Sequence, residues 1–231
     1  MKQTDLGILL HRLSYSENSL ITTFFTKTNG TQRYIYQGGK KKAGNLYPLG
    51  IYEITFYNRP DSELGKLIQT DVSSSIQPIL ASPIKSVISF FLAEVLKQSL
   101  TTNQEDVSLF TFLENQITEL SNQEDSTIFP SLFLLDFIEH LGISPLISEE
   151  SATYFDLSQG VFTSNPSVFS TSINSAATQT IKEYLEEKKI NLDGFQTHRK
   201  EIVSILIQFL SIHIPNFKGE KCLEMAKEIL I

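Results

Sequence analysis

Apolar and polar residues alternate along the first third of the chain with the two-residue period of β-strands. Turn-forming residues separate the alternating runs: Asn29-Gly30 tolerates the positive φ of a tight turn, and Arg59-Pro60-Asp61 supplies another turn. The pattern predicts five strands, at Leu6–Leu10, Leu20–Thr26, Thr31–Gln37, Ile51–Tyr57 and Gly65–Val72. Five short strands with hairpin signals are typical of a small closed barrel, of which the five-stranded OB-fold is the commonest that handles single strands.

The period becomes helical after Ser82-Pro83, where a capping serine precedes a proline at the first helical position. Thr102 and Glu105 have the spacing of a capping box, which predicts the start of a second helix. Further helices are expected at about 130–141, 168–188, 198–213 and 220–230. The predicted fold class is therefore α+β, with an N-terminal five-stranded OB-fold β-barrel over residues 1–78 and an all-α helical C-terminal domain over residues 79–231.

Charge is divided along the same boundary. The whole chain has a net charge of −7, but residues 1–77 carry nine basic and six acidic side chains, a net charge of +3 that leaves −10 for the rest. The net charge alone argues against nucleic-acid binding by the whole surface. A basic barrel joined to an acidic helical region instead indicates that the barrel binds polyanions.

The sharpest local signal is the triplet Lys40-Lys41-Lys42, which follows Gly38-Gly39. Because adjacent lysines repel one another, we expect an extended, solvated loop with a mobile glycine backbone and no helix after the glycines. Each lysine that neutralises a phosphate releases a counterion, which drives binding and makes it sensitive to salt. The alternative interpretation is a solubilising hairpin loop.

Three further cations complete the nucleic-acid-binding set that the sequence predicts. Arg33 lies on the strand that leads into the lysine triplet, and Lys27 and Lys66 lie elsewhere in the barrel segment. Alternation places Arg33 on one face of its strand and tyrosines on the other. The tyrosines of the segment are candidates either for stacking on bases or for filling the barrel: Tyr34, Tyr36, Tyr47, Tyr52 and Tyr57.

No motif indicates catalysis, a metal or another cofactor. The four histidines lie far apart in sequence, and the single cysteine, Cys222, lies on an apolar helical stripe, where we expect it to be buried. The N-terminus lacks the apolar run of a signal peptide, and the most apolar stretch, 202–214, is too short and polar to span a bilayer. We expect a non-enzymatic cytoplasmic protein, associated with the nucleoid and without a membrane partner.

Several segments together resemble the RecO family of bacterial recombination mediators. The run Tyr15–Ile21, followed by Phe25-Thr26 and Gly30, resembles the family signature Y-x-E-x-[SD]-x-I…FT…G. The resemblance continues through Gly38, Lys40 and the LQP-like turn at 46–49. It extends to Phe155-Asp156-Leu157 with Gly160, Phe162 and Pro166, and to the closing stretch 215–223. The order and spacing of these segments cover nearly the whole chain.

The resemblance implies an OB-fold, a helical C-terminal domain, and non-catalytic binding and annealing of single- and double-stranded DNA. It implies three protein partners: RecR, the acidic and apolar tail of single-strand-binding protein and, indirectly, RecA. Lys40 matches the basic position after the family glycine, and Lys41 and Lys42 are extensions of it. We assign Arg33 from strand geometry.

This chain departs from the family pattern at two places. Many members have four zinc-binding cysteines near residues 144–166, whereas this chain has none there, so this segment must hold itself by packing. The position before Gly38 is often basic in the family but is Gln37 here. Lys85, Lys97 and Lys221 are candidates for binding a protein partner. Two other functions stay open: an OB-fold scaffold that binds only proteins, and an RNA-binding protein.

Overall fold

The computed structural model describes residues 2–59, 62–74, 76–100 and 104–229, which form two compact units, Met1–Gln123 and Glu124–Ile231. The domain boundary predicted between residues 78 and 79 falls within the short helix Gln77–Leu80 and stays a prediction. The compact units divide after Gln123, so the first two long helices belong to the unit that contains the barrel. No helix in these ranges is long and apolar enough to cross a membrane.

The first unit is built on a closed five-stranded barrel, which confirms the predicted fold class. Its strands are β1 (Lys2–Ser14), β2 (Ser19–Thr26), β3 (Gly30–Gln37), β4 (Ile51–Arg59) and β5 (Ser62–Val72). They close in the order β1-β2-β3-β5-β4, and every pair is antiparallel except β3 with β5. The five predicted strands are therefore all present. β1 extends beyond the predicted Leu6–Leu10 at both ends, because its first half pairs with β4 and its second half pairs with β2.

Alternation places one side of every strand inside the barrel. Burying large apolar side chains contributes roughly 1.5–3 kcal/mol each and is the main force that holds such a sheet closed. The ring centroids of Tyr34 and Phe56 are 4.9 Å apart, and Phe24 meets Tyr52 edge to face at 6.1 Å. The interior is formed by Leu9, Leu20, Phe24, Tyr34, Tyr36, Leu46, Tyr52, Ile54, Phe56 and Leu67.

A buried carboxylate on β1 holds the turn between β2 and β3. Oδ2 of Asp5 accepts hydrogen bonds from the backbone N–H and the hydroxyl of Thr28, at 3.1 and 2.7 Å, and from the Asn29 amide at 3.0 Å. Gly30 follows with a φ of +63°, a conformation that favours glycine. The tight turn predicted at Asn29-Gly30 is thus present, and Asp5 fixes it from the neighbouring strand.

Among the described residues of the first unit, three helices follow the barrel: α2 (Gln77–Leu80), α3 (Pro83–Ser99) and α4 (Val107–Asn122). The short helix α1 (Gly39–Lys42) comes before them, between β3 and β4. Ser82 caps α3 as predicted, since its side chain accepts from the Lys85 N–H. The cap of α4 was predicted wrongly: Asp106 accepts from the Leu109 N–H and is the capping residue. Thr102, the predicted cap, lies outside the described residues.

The described part of the second unit contains four helices: α5 (Phe129–His140), α6 (Ala176–Glu187), α7 (Leu192–His213) and α8 (Gly219–Ile229). The helix predicted from residue 168 begins at Ala176, because Ser175 and Thr178 form a reciprocal capping box there. The helix predicted from residue 198 begins earlier, at Leu192, where the Asn191 side chain accepts from a backbone N–H.

The second unit also contains a small sheet that the sequence pattern did not predict. Its strands are β6 (Leu146–Ile147), β7 (Tyr154–Asp156), β8 (Val161–Thr163) and β9 (Ser172–Ile173), in the order β6-β8-β7-β9. Strands of two or three residues are too short to show alternation. The sheet occupies the segment where the family resemblance led us to look for a zinc finger.

Packing holds this sheet together, as the sequence predicted for a segment without zinc-binding cysteines. The rings of Phe155 and Phe162 stack with centroids 4.5 Å apart, and Phe209 of α7 lies 5.6 Å from Phe155. His213 donates from Nε2 to the Leu157 carbonyl at 2.8 Å, which joins the end of α7 to the sheet.

Candidate nucleic-acid interface

The outer face of the barrel carries a row of four residues from four neighbouring strands. Ile35 on β3 lies opposite Lys66 on β5, Lys66 lies opposite Tyr57 on β4, and Tyr57 lies opposite Lys2 on β1. Directly paired residues project to the same face of a sheet, so these side chains are neighbours on the outside of the barrel. We call Ile35, Lys66, Tyr57 and Lys2 the outer row.

Arg33 adds a third cation beside the outer row. Arg33 lies opposite Leu64, two positions before the pair of Ile35 and Lys66, and is therefore a diagonal neighbour of Lys66 on the same face. Its side chain is exposed and forms no ion pair with a described side chain. The register between two strands that are distant in sequence thus brings together two cations, Arg33 and Lys66, that the sequence had predicted separately.

The lysine triplet lies in the connection between β3 and β4, and it is not the extended loop that we predicted. Residues Gly39–Lys42 form the one-turn helix α1, and a 3-10 turn, Ala43–Asn45, follows it. The side chains of Lys40 and Lys41 are exposed, while that of Lys42 lies outside the described part of the chain. The Lys40 N–H donates to the Asn18 carbonyl at 3.5 Å, so the turn lies beside the start of β2.

Two adjacent glycines allow this helical turn for different reasons. Gly38 has a φ of +69°, the left-handed region that side chains disfavour. Gly39 packs directly on a buried ring: a Cβ there would lie 2.9 Å from Cδ1 of Tyr36. The sequence-based expectation failed because it treated both glycines as sources of mobility, whereas they permit a tight turn against the barrel core.

Lys27 lies away from the other barrel cations. It follows the last residue of β2, whereas α1 lies beside the first, and an eight-residue strand spans about 23 Å. Its ammonium group is 6.0 Å from the ring centroid of Phe110 on α4. The structure therefore brings Arg33 and Lys66 together on one face and Lys40 and Lys41 into one exposed turn, but it separates Lys27 from the turn.

Most of the candidate tyrosines fill the barrel, and the idea that they stack on bases is wrong for three of them. Tyr34, Tyr36 and Tyr52 are 0–1% exposed. Burial raises the pKa of the Tyr34 and Tyr52 hydroxyls above its ordinary value, so both remain protonated at neutral pH. The Tyr52 hydroxyl donates to the Asn45 carbonyl at 2.8 Å. Tyr57, in contrast, is 40% exposed.

The three lysines predicted to bind a partner lie in unrelated environments. Lys85 is buried, and its ammonium group donates to the Ser121 carbonyl at 2.9 Å. Lys97 pairs with Glu94 one turn earlier on α3, at 2.8 Å. Lys221 is exposed on α8, in the other compact unit. The three do not form one surface within either unit.

A groove in the second unit suits a protein partner better than these three lysines, because it combines apolar and basic side chains. It lies between α7 and α8 and holds a volume of about 390 Å³. Leu223 and Ala226 contribute apolar surface, and Lys200 and Lys227 are its exposed cations. The sequence did not indicate this groove, because its cations come from two helices whose faces are related only by packing.

The described ranges contain no group of three His, Cys, Asp or Glu side chains that could hold a metal ion. The free Cys222 is buried, which agrees with its place on the apolar stripe of α8. The residues that stand out chemically are therefore the exposed cations of the barrel and Tyr57, which is exposed on β4. Such groups can bind phosphates and stack on bases.

Comparison with known proteins identifies relatives over the whole length of the chain. Residues 1–76 match the family model described as Recombination protein O N terminal, and residues 81–221 match Recombination protein O C terminal. The "DNA repair protein RecO" of Flavobacterium johnsoniae is 30% identical, over 96% of this chain and 97% of that protein. The protein of the same name from Flavobacterium psychrophilum is 28% identical, over 96% of this chain and 97% of that protein. That from Bacteroides fragilis (strain YCH46) is 27% identical, over 99% of both chains.

Proposed function

Since the chain belongs to the recombination protein O family, and so has a role in DNA repair and recombination, we propose that its barrel binds single- and double-stranded DNA. The protein anneals complementary strands and helps to load RecA onto strands coated by single-strand-binding protein, and it does so without catalysis. RecR is its other proposed partner. The observation that carries this proposal is that the barrel of a chain with a net charge of −7 presents Arg33, Lys40 and Lys41 exposed, with the half-buried Lys66 beside Arg33.

The mechanism that the geometry supports is electrostatic capture of a DNA strand, followed by its pairing with a complementary strand. Arg33 and Lys66 on the outer face, and Lys40 and Lys41 on α1, are positioned to contact the phosphates of a strand. Lys42 belongs to the same proposed site, and Lys27 to a second contact at the other end of β2. Phosphate contacts position a strand without reading its sequence, so base edges remain available to a complementary strand.

The acidic helical region is the proposed site of partner binding. An acidic and apolar peptide, such as the tail of single-strand-binding protein, needs an apolar surface with cations nearby. The groove between α7 and α8 offers this combination, with Lys200 and Lys227 beside Leu223. We therefore place the tail in this groove in preference to Lys85, Lys97 or Lys221.

Replacing the lysine triplet by alanine tests the DNA-binding site. In K40A/K41A/K42A we expect weaker binding of both single strands and duplexes, and slower annealing of complementary oligonucleotides, because three phosphate contacts are lost. The titration is followed by fluorescence anisotropy and repeated with single-strand-binding protein present. Circular dichroism should show that the variant remains folded.

The matched control is K40R/K41R/K42R, which keeps every charge and should anneal as the wild type does. Unchanged annealing by the alanine variant would overturn the site assignment. If the wild-type protein ignores DNA in dilute buffer, the proposed function itself fails and a protein-only scaffold takes its place. Preference for RNA over DNA of the same sequence would identify an RNA-binding protein.

A further inference from the structure

Tyr57 is an exposed aromatic residue between two lysines on the outer face of the barrel. Its direct neighbours in the outer row are Lys2 on one side and Lys66 on the other. Adjacent strands lie about 4.8 Å apart, so the two lysine backbones are roughly 10 Å apart with the ring between them. The tyrosine side chain keeps 40% of its surface exposed.

Another aromatic residue on the outer face of the barrel is covered by protein. Phe25 on β2 projects outward but is only 2% exposed, because Phe110 of α4 stacks on it with ring centroids 6.2 Å apart. Tyr57 has no such ring partner among the described residues. The fold therefore buries the outward ring of Phe25 under a helix and leaves the ring of Tyr57 open between cations.

The described charged residues beside Tyr57 are complementary to a nucleic-acid strand. Lys2 and Lys66 flank the ring, Arg33 lies beyond Lys66 as its diagonal neighbour, and none of the three forms an ion pair with a described side chain. The outward acidic residues Glu53 and Asp71 lie opposite each other. Glu53 comes four residues before Tyr57 on β4, and Asp71 comes five residues after Lys66 on β5. Four residues along a strand correspond to about 13 Å, so the acids are displaced from the ring.

We propose that Tyr57 is a stacking platform for one unpaired base of single-stranded DNA, whose flanking phosphates bind Lys2, Lys66 and Arg33; this rests on the proposed function. Every base offers a π-face, so stacking does not depend on sequence. In a duplex, the faces of each base are covered by the adjacent bases. The lysines and Arg33 bind phosphates of either form, whereas Tyr57 favours the single strand.

The test compares single strands and duplexes of one sequence at one salt concentration. In Tyr57→Ala we expect affinity for the single strand to fall about tenfold, the size expected for one lost stacking contact, while affinity for the duplex is unchanged. Lys66→Ala should weaken binding of both forms. Tyr57→Phe keeps the ring and should behave as the wild type, and Phe169→Ala, which removes a fully exposed ring in the second unit, is the matched control.

A fluorescent reporter gives a direct measurement. The chain contains no tryptophan, so Tyr57→Trp introduces a single one. Its emission should be quenched by a single strand but not by an abasic sugar–phosphate oligomer of equal length, and Phe169→Trp should respond to neither. Single-strand affinity that is unchanged in Tyr57→Ala, or equal quenching by the abasic oligomer, overturns the stacking site while the proposed function stands. A wild-type protein that binds no DNA overturns both.

Discussion

At the scale of single residues, the buried lysine of α6 shows how this chain stabilises a segment without a metal. Lys182 is 3% exposed, and its ammonium group donates to the Glu150 and Ala152 carbonyls, the latter at 3.1 Å. Glu186 lies 3.8 Å from the ammonium group and offsets its charge. One cation thus satisfies two carbonyls beside the small sheet, which an apolar side chain could not do.

Replacing Lys182 by methionine should destabilise the second unit. Lys182→Met keeps the length of the side chain but leaves the two carbonyls without their donor, at a cost of about 2 kcal/mol. The free energy of unfolding, measured with urea by circular dichroism, should fall accordingly. Lys189→Met is the control, because that side chain is 82% exposed and should change little. Equal stability of the two variants would show that Lys182 does not hold the segment.

At the scale of elements, the one-turn helix α1 depends on the close approach of Gly39 to Tyr36. The Tyr36 side chain is 1% exposed inside the barrel, so its ring cannot move aside. The exposed lysines of the turn are therefore presented by a backbone that rests on the barrel core. Anything that lifts this backbone should change both stability and DNA binding.

Substituting Gly39 and Gly44 separately tests this dependence. In Gly39→Ala the new Cβ would lie 2.9 Å from the Tyr36 ring, and overpacking of this kind costs about 1–3 kcal/mol. Gly44→Ala places a Cβ where nothing lies within 4 Å and should be tolerated. Thermal unfolding should show a lower Tm for Gly39→Ala alone. Equal Tm values would mean that α1 does not rest on Tyr36.

Regular elements could be predicted from the sequence because each shows its own period or cap. All five barrel strands and the start of α3 at Ser82-Pro83 follow from local pattern. The sheet around Phe155, the α1 turn and the cations of the α7–α8 groove could not be predicted, because they depend on very short strands, on close approach or on packing between helices. The outer row was hidden for the same reason: Lys2, Tyr57 and Lys66 become neighbours only through strand register.

At the scale of the whole molecule, the main electrostatic feature is the uneven distribution of charge along the chain. The chain carries −7 overall, although its first 77 residues carry +3. Long-range repulsion between an acidic body and DNA is screened within about 10 Å at 0.1 M salt, whereas contacts with individual phosphates persist. Binding should therefore depend on a small number of local contacts and respond to salt in proportion to that number.

The salt dependence can be predicted for a defined variant. For single strands the slope of log K against log salt changes by about 0.7 for each phosphate contact, so K40A/K41A should reduce its magnitude by about 1.4. Titrations at several salt concentrations measure the slope. Lys189→Ala, which removes an exposed cation of the second unit, should leave it unchanged. A slope that is equal in K40A/K41A and the wild type would exclude these lysines from the interface.

Closure of the barrel also affects how the protein behaves at high concentration. Every barrel strand has a partner on both sides, and the small sheet ends in two strands of only two residues each, β6 and β9. Long, unpaired strand edges are the templates on which β-rich proteins aggregate. We therefore expect concentrated copies of this chain not to join edge to edge into fibres.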